Sequence, residues 1–250
     1  MLSFSELISQ ETGVVHGFSK KATGLSTGHQ SGLNMKFGLE PLDVTRSNWA
    51  KLGSEFGRGV LPKGVATVNQ VHGSIVVEAR TQSDEMVPIA DADAVFTTEK
   101  GLGVAVFTAD CVPILLCGGG VVAAVHAGWR GTAKGIAQSC IWAIEEATGV
   151  CADALSAAIG PSIGPCCYEV SKEVIDGVCS LVEESKVVSI NDRGGRNVDL
   201  ALANELQLRR LGVNRIDRFS VCTMCGGEHF SYRGDGGVTG RQVSVIGRSI

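Results

Sequence analysis

Apolar positions along this chain fall into short runs punctuated by glycine, and only a few stretches recur at the i, i+3, i+4 spacing of an amphipathic helix. The segment "VVHGFSKKATGLS" reads as a strand followed by a Gly/Ser loop. At 43–56, Val44, Trp49 and Leu52 can share one helical face, with Asp43 as a cap. The runs "GVATVNQVHG" and "SIVVEA", which meet close to His72-Gly73, read as two strands. Three more are expected between 91 and 128: "DAVFTT", "GVAVFTADCVPILLC" and "VVAAVHAG", separated by Gly101 and by Gly118, Gly119 and Gly120. A helix is expected over 132–147, ended by Gly149. Beyond it come a short strand "ALSAAIG", a Gly/Pro loop "PSIGPCCYEV", and helices around 170–184 and 198–211. The strands "RIDRFSV" and "QVSVIGR" enclose the loop "GGEHFSYRGDGGVTG". Strands and helices alternate without a βαβ period. The pattern therefore predicts an α+β fold with layered, mixed β-sheets rather than a doubly wound parallel sheet.

Length and composition narrow the picture. The 250 residues, 44% of them hydrophobic, suffice for one sizeable core, and no linker-like tract or fixed repeat divides them, so residues 1–250 are read as one domain. A formal net charge of −4 disfavours nucleic acid as the main partner. The opening "MLSFSELISQ" lacks the basic and apolar regions of a signal peptide, and Asp110, His126 and Arg130 interrupt the longest apolar stretches. A soluble, cytoplasmic protein with a small-molecule substrate and no membrane partner is expected. No G-x-G-x-x-G or P-loop motif is present. In a reducing compartment the nine cysteines are core residues, metal ligands or nucleophiles rather than disulfide halves.

One apolar run contains an aspartate and a cysteine side by side, "FTADCVPILLC". Alternation along a single strand would send Asp110 and Cys111 to opposite faces. In "VVAAVHAG" the same alternation puts Val122, Ala124 and His126 on one face, with His126 at the strand end. If the two strands are neighbours, which a short Gly connection favours, Cys111 and His126 face one cavity. His72 also sits where a strand meets a glycine. Two imidazoles and a thiolate at strand ends make a candidate Cys-His-His metal set with an open fourth position, the mark of a catalytic rather than a structural zinc. The spacing is equally compatible with a cysteine used for packing and histidines that are simply hydrogen-bonded. Cys222 and Cys225 form a C-x-x-C, but with no second C-x-x-C it cannot complete a structural zinc site by itself. The vicinal Cys166-Cys167 pair reads as structural. His16 and His29 fit a lining role and a surface role equally, and His229 is a candidate for a pocket rim. In "HAGWRGT", Arg130 beside a helix start suits a phosphate or carboxylate. A tight Gly turn with Arg130 in a surface ion pair fits the same residues.

Taken together, "NQVHG", "ADAVFTTEKGLGVAVFTADCVPILLC", "VAAVHAGWRGTAKGI", "AAIGPSIGPCCYEV" and "SYRGDGGVTGRQ" resemble the laccase-domain family, once labelled polyphenol oxidase and now described as purine nucleoside phosphorylase with adenosine deaminase activity. The resemblance runs over nearly the whole chain. It implies a four-layer α/β/β/α arrangement of mixed β-sheets. It places the family's metal ligands on His72, Cys111 and His126, with zinc as the cofactor and copper as an alternative occupant. Purine nucleosides and phosphate are the implied substrates. Asn34 and Arg233 fall on the family pattern as candidate substrate contacts, and Arg130 with the helix start that follows it is the candidate phosphate contact. Two positions depart from the family pattern: the usual Asn-Arg pair reads Asn48-Trp49, and "SYRRDG" reads "SYRGDG". Set against this reading are a copper-dependent phenol oxidase and a metal-free cysteine hydrolase with Cys111 as nucleophile and His126 as base.

Overall fold

The computed structural model describes residues 2–57, 61, 63–81 and 87–250. Two mixed sheets stack face to face. The first has the order β1 (Leu2–Ser3), β2 (Val14–Ser19), β13 (Gln242–Arg248), β6 (Gly103–Thr108), β3 (Val65–Thr67). The second has the order β12 (Arg215–Arg218), β9 (Ser156–Ile159), β7 (Val112–Gly118), β8 (Val121–Ala127), β5 (Ala94–Thr97), β4 (Val76–Glu78). A short antiparallel ribbon joins β10 (Val188–Ile190) to β11 (Arg196–Val198). Helix α1 (Glu6–Ser9) packs near β2 and β9, and α2 (Leu42–Phe56) covers the outer face of the first sheet. The outer face of the second sheet carries α3 (Trp129–Ala133), α4 (Ile136–Thr148), α5 (Lys172–Cys179), α6 (Glu184–Val187) and α7 (Leu200–Arg210).

The side-chain parity of the central strands shows why the layers form. In β7, Ile114 and Leu116 join the helix-facing core while Leu115 and Cys117 join the core between the sheets. In β8, Val121, Ala123 and Val125 face the helices, and Val122 and Ala124 face the other sheet. Strands buried on both faces must be apolar throughout, which is why these two read as unbroken hydrophobic runs. Ala105, Phe107, Val243 and Val245 point the other way, against Leu52 and Trp49 of α2. Three apolar interfaces separate four layers, so the expected α/β/β/α order holds.

Several local expectations change. "GVAVFTADCVPILLC" is two strands in different sheets, because the chain breaks at Asp110, whose φ of +91° no strand residue adopts. Helix α2 begins after Pro41, and Asp43 lies in its first turn without capping it. Its most buried face is Thr45, Asn48 and Leu52 rather than one centred on Val44. The helix expected over 132–147 starts earlier, at Trp129, and is interrupted at Gly135, which takes the left-handed φ of +72°. Gly149 ends α4 as expected, at φ +73°. The helix expected over 170–184 is shorter, Lys172–Cys179, and a separate single turn follows at Glu184–Val187.

Candidate metal centre

The chain crosses between the sheets at one end of the sandwich, and the reactive side chains gather there. Residues 68–75 lead from β3 in the first sheet to β4 in the second, and carry His72. Residues 109–111 lead from β6 to β7, and carry Asp110 and Cys111. The hairpin of β7 and β8 then sets Pro113 opposite His126, which brings Cys111 beside the end of β8. Gly118, Gly119 and Gly120 make that hairpin turn with positive φ at each position.

Candidate ligand atoms of His72, Cys111 and His126 all lie within 4.8 Å of one another. Cys111 Sγ is 4.0 Å from His72 Nε2, and the imidazole rings meet edge to face with centroids 4.8 Å apart. Zinc bonds of about 2.1 Å to nitrogen and 2.3 Å to sulfur put tetrahedral N···S separations near roughly 3.6 Å, so the Cys111–His72 pair is a few tenths of an ångström from the spacing that an ion needs. Gly128 leaves the space: a Cβ there would meet His72 Cδ2 at 3.0 Å and Cys111 Sγ at 3.1 Å. The residues present therefore fit a metal. Exposed His72, half-buried Cys111 and buried His126 leave one side of the set open to the cavity.

Asp93, which the sequence reading passed over, organises the candidate ligands. Its buried carboxylate accepts the backbone N–H of Val71 (3.3 Å), His72 (3.0 Å) and Gly73 (2.6 Å), and lies 2.8 Å from His126 Nδ1. Those bonds hold His72 at its unusual φ of +59° and fix the His126 ring with Nδ1 engaged and Nε2 free to ligate. Burial alone would push Asp93 up. The His126 bond and the N–H groups outweigh it and hold the carboxyl below its usual range.

The same balance acts on Cys111. Burial disfavours its thiolate, but the adjacent His126 and then His72 bring the thiol down to about 6. Burial likewise opposes charge on His126, yet the Cys111 thiolate and Asp93 raise it to about 9. Cys117 and Cys140, buried among apolar groups, are pushed up to about 12 and are inert packing residues.

Above the set opens a cavity of about 540 Å³. Phe107, Trp129, Tyr168 and Tyr232 give it aromatic surface, and Lys36, Arg233 and Arg241 give it positive charge. Asp110 lines it too, so Asp110 and Cys111 share one cavity rather than facing apart. The Asp110 carboxylate accepts from Thr223 Oγ1 and from the Arg233 backbone N–H, both at 2.6 Å, and so pins the C-terminal loop to the crossover. Arg233 also donates to the Glu169 carbonyl at 3.0 Å. Arg130 is exposed, stacks over Trp129 at 4.3 Å, and borders an adjoining side pocket of about 120 Å³.

Asn34 lies fully buried beneath the cavity. Its amide donates to the Lys36 carbonyl and Glu40, and accepts from the backbone N–H groups of Lys36 and Arg241. It thus holds two cavity cations in place and has no group left over for a ligand. Lys36 and Arg241 were not singled out in the sequence; "GRQ", directly before the last strand, was the available signal for the second. His16, His29 and His229 lie outside the cavity lining.

Residues 15–249 match the family model described as multi-copper polyphenol oxidoreductase laccase. The chain is 36% identical over 252 residues to the purine nucleoside phosphorylase YlmD of Geobacillus stearothermophilus, covering 94% of this chain and 90% of the relative. It is 34% identical over 237 residues to a purine nucleoside phosphorylase of Deinococcus radiodurans, covering 94% and 89%. The crystal structure of the Geobacillus YlmD matches the fold with a TM-score of 0.88 at 33% identity, over 96% of this chain and 93% of that one. A Neisseria meningitidis protein, NMB0706, matches with a TM-score of 0.85 at 30% identity, over 100% and 99%. Among the described residues no helix is long and apolar enough to cross a membrane.

Proposed function

The chain belongs to the multi-copper polyphenol oxidoreductase laccase family, and from that premise we propose that it is a zinc-dependent purine nucleoside phosphorylase. It converts adenosine and phosphate to adenine and ribose 1-phosphate, and also deaminates adenosine. The observation that carries this reading is the convergence of His72, Cys111 and His126 at a cavity that joins aromatic faces to half-buried cations. The names of the relatives support it, since purine nucleoside phosphorylases cover nearly the whole chain.

Phosphorolysis forms a bond from phosphate oxygen to C1′ and breaks the bond from C1′ to the purine nitrogen, leaving the electron pair on a base that then takes a proton. The protein must hold an anion close to the sugar. Lys36 and Arg241 suit this best. Burial, and then the charge of Arg241, hold the Lys36 ammonium below its usual range, and burial does the same to the Arg241 guanidinium. Two half-buried cations in one cavity gain most from a bound dianion. Arg130, the phosphate candidate of the sequence, is exposed and borders the side pocket. Arg233 braces the wall through Asp110 and Glu169, and Asn34 acts as a positioning residue for Lys36 and Arg241. Trp129, Tyr168 and Phe107 offer the flat apolar surface that a purine needs. The Thr108 hydroxyl is buried in the cavity wall, with no hydrogen-bond partner among the described residues.

His72, Cys111 and His126 would hold the zinc. Bound there, zinc supplies Lewis acidity strong enough to bring the pKa of a water down to roughly 7, which suits attack on the purine 6-position. The donor set offers little to multicopper oxidation, which needs a cluster of many imidazoles. The chain has five histidines, and only His72 and His126 are at the centre.

The test is a panel of nucleosides incubated with and without phosphate and analysed for base and sugar products. Adenine and ribose 1-phosphate should appear from adenosine at a rate that saturates with phosphate, and inosine should appear without it. If no adenine forms at any phosphate level, phosphorolysis is excluded, and phenol oxidation by copper-loaded protein becomes the leading reading.

A further inference from the structure

The cysteines that the sequence left in two separate motifs meet in space. Cys166, Cys167, Cys222 and Cys225 bring all four Sγ atoms within 4.8 Å of one another, and none of the four lines the cavity that Cys111 lines. Cys166 Sγ and Cys225 Sγ are 3.6 Å apart. A tetrahedral zinc with bonds of about 2.3 Å to sulfur needs S···S separations near roughly 3.8 Å. The cluster is at that scale already.

The backbone around it is built for thiolates. Ser162 and Cys222 form a parallel bridge, with the Thr223 N–H donating to the Ser162 carbonyl at 3.0 Å, which locks the two loops in register. Cys222 Sγ receives the backbone N–H of Gly164 at 3.2 Å. Amides aimed at sulfur stabilise a charged ligand and lower its need for a cationic side chain. The N–H of Gly226 returns to the Cys222 carbonyl at 2.9 Å, closing the tight turn that puts Cys222 and Cys225 side by side. On the other loop, Cys167 and Tyr168 both donate to the Gly164 carbonyl at 3.0 Å, so the adjacent cysteines lie in a turn and need not point apart as in a strand.

Two glycines clear the space. A Cβ on Gly164 would lie 3.3 Å from Cys166 Sγ and 3.2 Å from Cys222 Cβ, and one on Gly226 would strike the Cys222 carbonyl at 2.5 Å.

We infer that Cys166, Cys167, Cys222 and Cys225 form a second metal site, a closed tetrathiolate centre for a thiophilic divalent ion, with zinc as the preferred occupant. Four sulfur ligands leave no open position, so the centre is structural. Its place gives it a purpose. The loop of Cys166 and Cys167 carries Ile163 and Tyr168 to the cavity, and the loop that begins with Cys222 and Cys225 carries Tyr232 and Arg233. The ion clips these two walls together. Binding displaces the thiol protons, so it strengthens as pH rises. The inference is independent of the nucleoside reading, because the two centres share no ligand.

The test uses the full chain, stripped with a chelator and kept reduced with a phosphine, titrated with cobalt(II) as the probe. Unmutated protein should take up two equivalents. Cys111→Ser should keep one, with the intense near-ultraviolet thiolate-to-cobalt absorption of a tetrathiolate centre. Cys225→Ser should lose that absorption and keep the other equivalent. A Cys111→Ser protein that binds no ion, or a band unaffected by Cys225→Ser, overturns the site. Should Cys225→Ser fail to fold, alkylation of the unmutated protein decides the matter by peptide mass analysis. The four cysteines should resist labelling with two equivalents of zinc bound and label together after chelation. Equal labelling in both states overturns the proposal.

Discussion

Asp93 and His126 are joined twice: the His126 backbone N–H donates to the Asp93 carbonyl at 2.7 Å, and its Nδ1 meets the Asp93 carboxylate at 2.8 Å. One residue thus sets both the height of the strand end and the rotation of its ring. The same carboxylate collects the N–H groups of the His72 turn, so Asp93 fixes the two imidazoles relative to each other. Replacing Asp93 by Asn keeps the shape but turns one acceptor into a donor that faces other donors. Zinc affinity at the His72 set should fall by roughly 10–100-fold, as for other outer partners of ligating histidines. Competition against a chromophoric chelator measures this. Undiminished affinity in a folded variant would remove Asp93 from any role in the centre.

Gly128 predicts a defect confined to the metal set. Its φ of −71° and ψ of 169° suit alanine, so the backbone accepts the change. The added methyl, however, would press on His72 and Cys111 at about 3 Å. Gly128→Ala should retain the melting temperature of the unmutated protein to within a few degrees while losing most of its zinc at this centre. A melting temperature that drops together with full zinc retention would place the strain elsewhere.

Much of the fold was legible because strands buried on both faces write themselves as apolar runs, as β7 and β8 do. Their hairpin follows from Gly118, Gly119 and Gly120, and with it the nearness of Cys111 to His126. The break at Asp110 was not legible. A single apolar run gives no sign that the chain changes sheets, and the reason for the break, hydrogen bonds from Thr223 and Arg233, comes from residues more than a hundred positions away. Asp93 was hidden for a similar cause: an acid in "ADADAVF" looks like loop polarity until the N–H groups it gathers are seen. Lys36 and Arg241 gain their significance from burial, which composition does not reveal. The four clustered cysteines lie on loops far apart in sequence that the bridge between Ser162 and Cys222 brings together.

The cation pair and the outer arginine make separable predictions. If Lys36 and Arg241 hold the phosphate, Arg241→Ala should raise the KM for phosphate by roughly tenfold or more, in line with the 1.5–3 kcal/mol typical of a charged hydrogen bond. Arg130→Ala should change it by much less, because its guanidinium is exposed and stacked on Trp129. Steady-state kinetics at saturating nucleoside, with phosphate varied, read both. A larger effect at Arg130 would move the anion site to the side pocket.

His16 supplies a pH dependence of folding that is independent of the metal centre. It is 3% exposed in β2, where Nε2 accepts the Ser5 backbone N–H at 2.8 Å. Burial pushes it down from 6.5 to about 4, against the raising effect of Asp217. Between those values the unfolded chain takes up a proton that the native state refuses. The stability from neutral His16 is therefore whole above about pH 6.5 and is lost as pH falls toward about 4. The full difference is on the order of 3 kcal/mol. His16→Gln keeps an acceptor for Ser5 but does not titrate, so its stability should fall less between about pH 7 and pH 4.5. Urea unfolding of both proteins at the two pH values isolates the contribution as a difference of differences, in which the other titrating groups cancel. Parallel losses in the two proteins would mean that His16 takes its proton without opposition, and that the buried strand tolerates the charge.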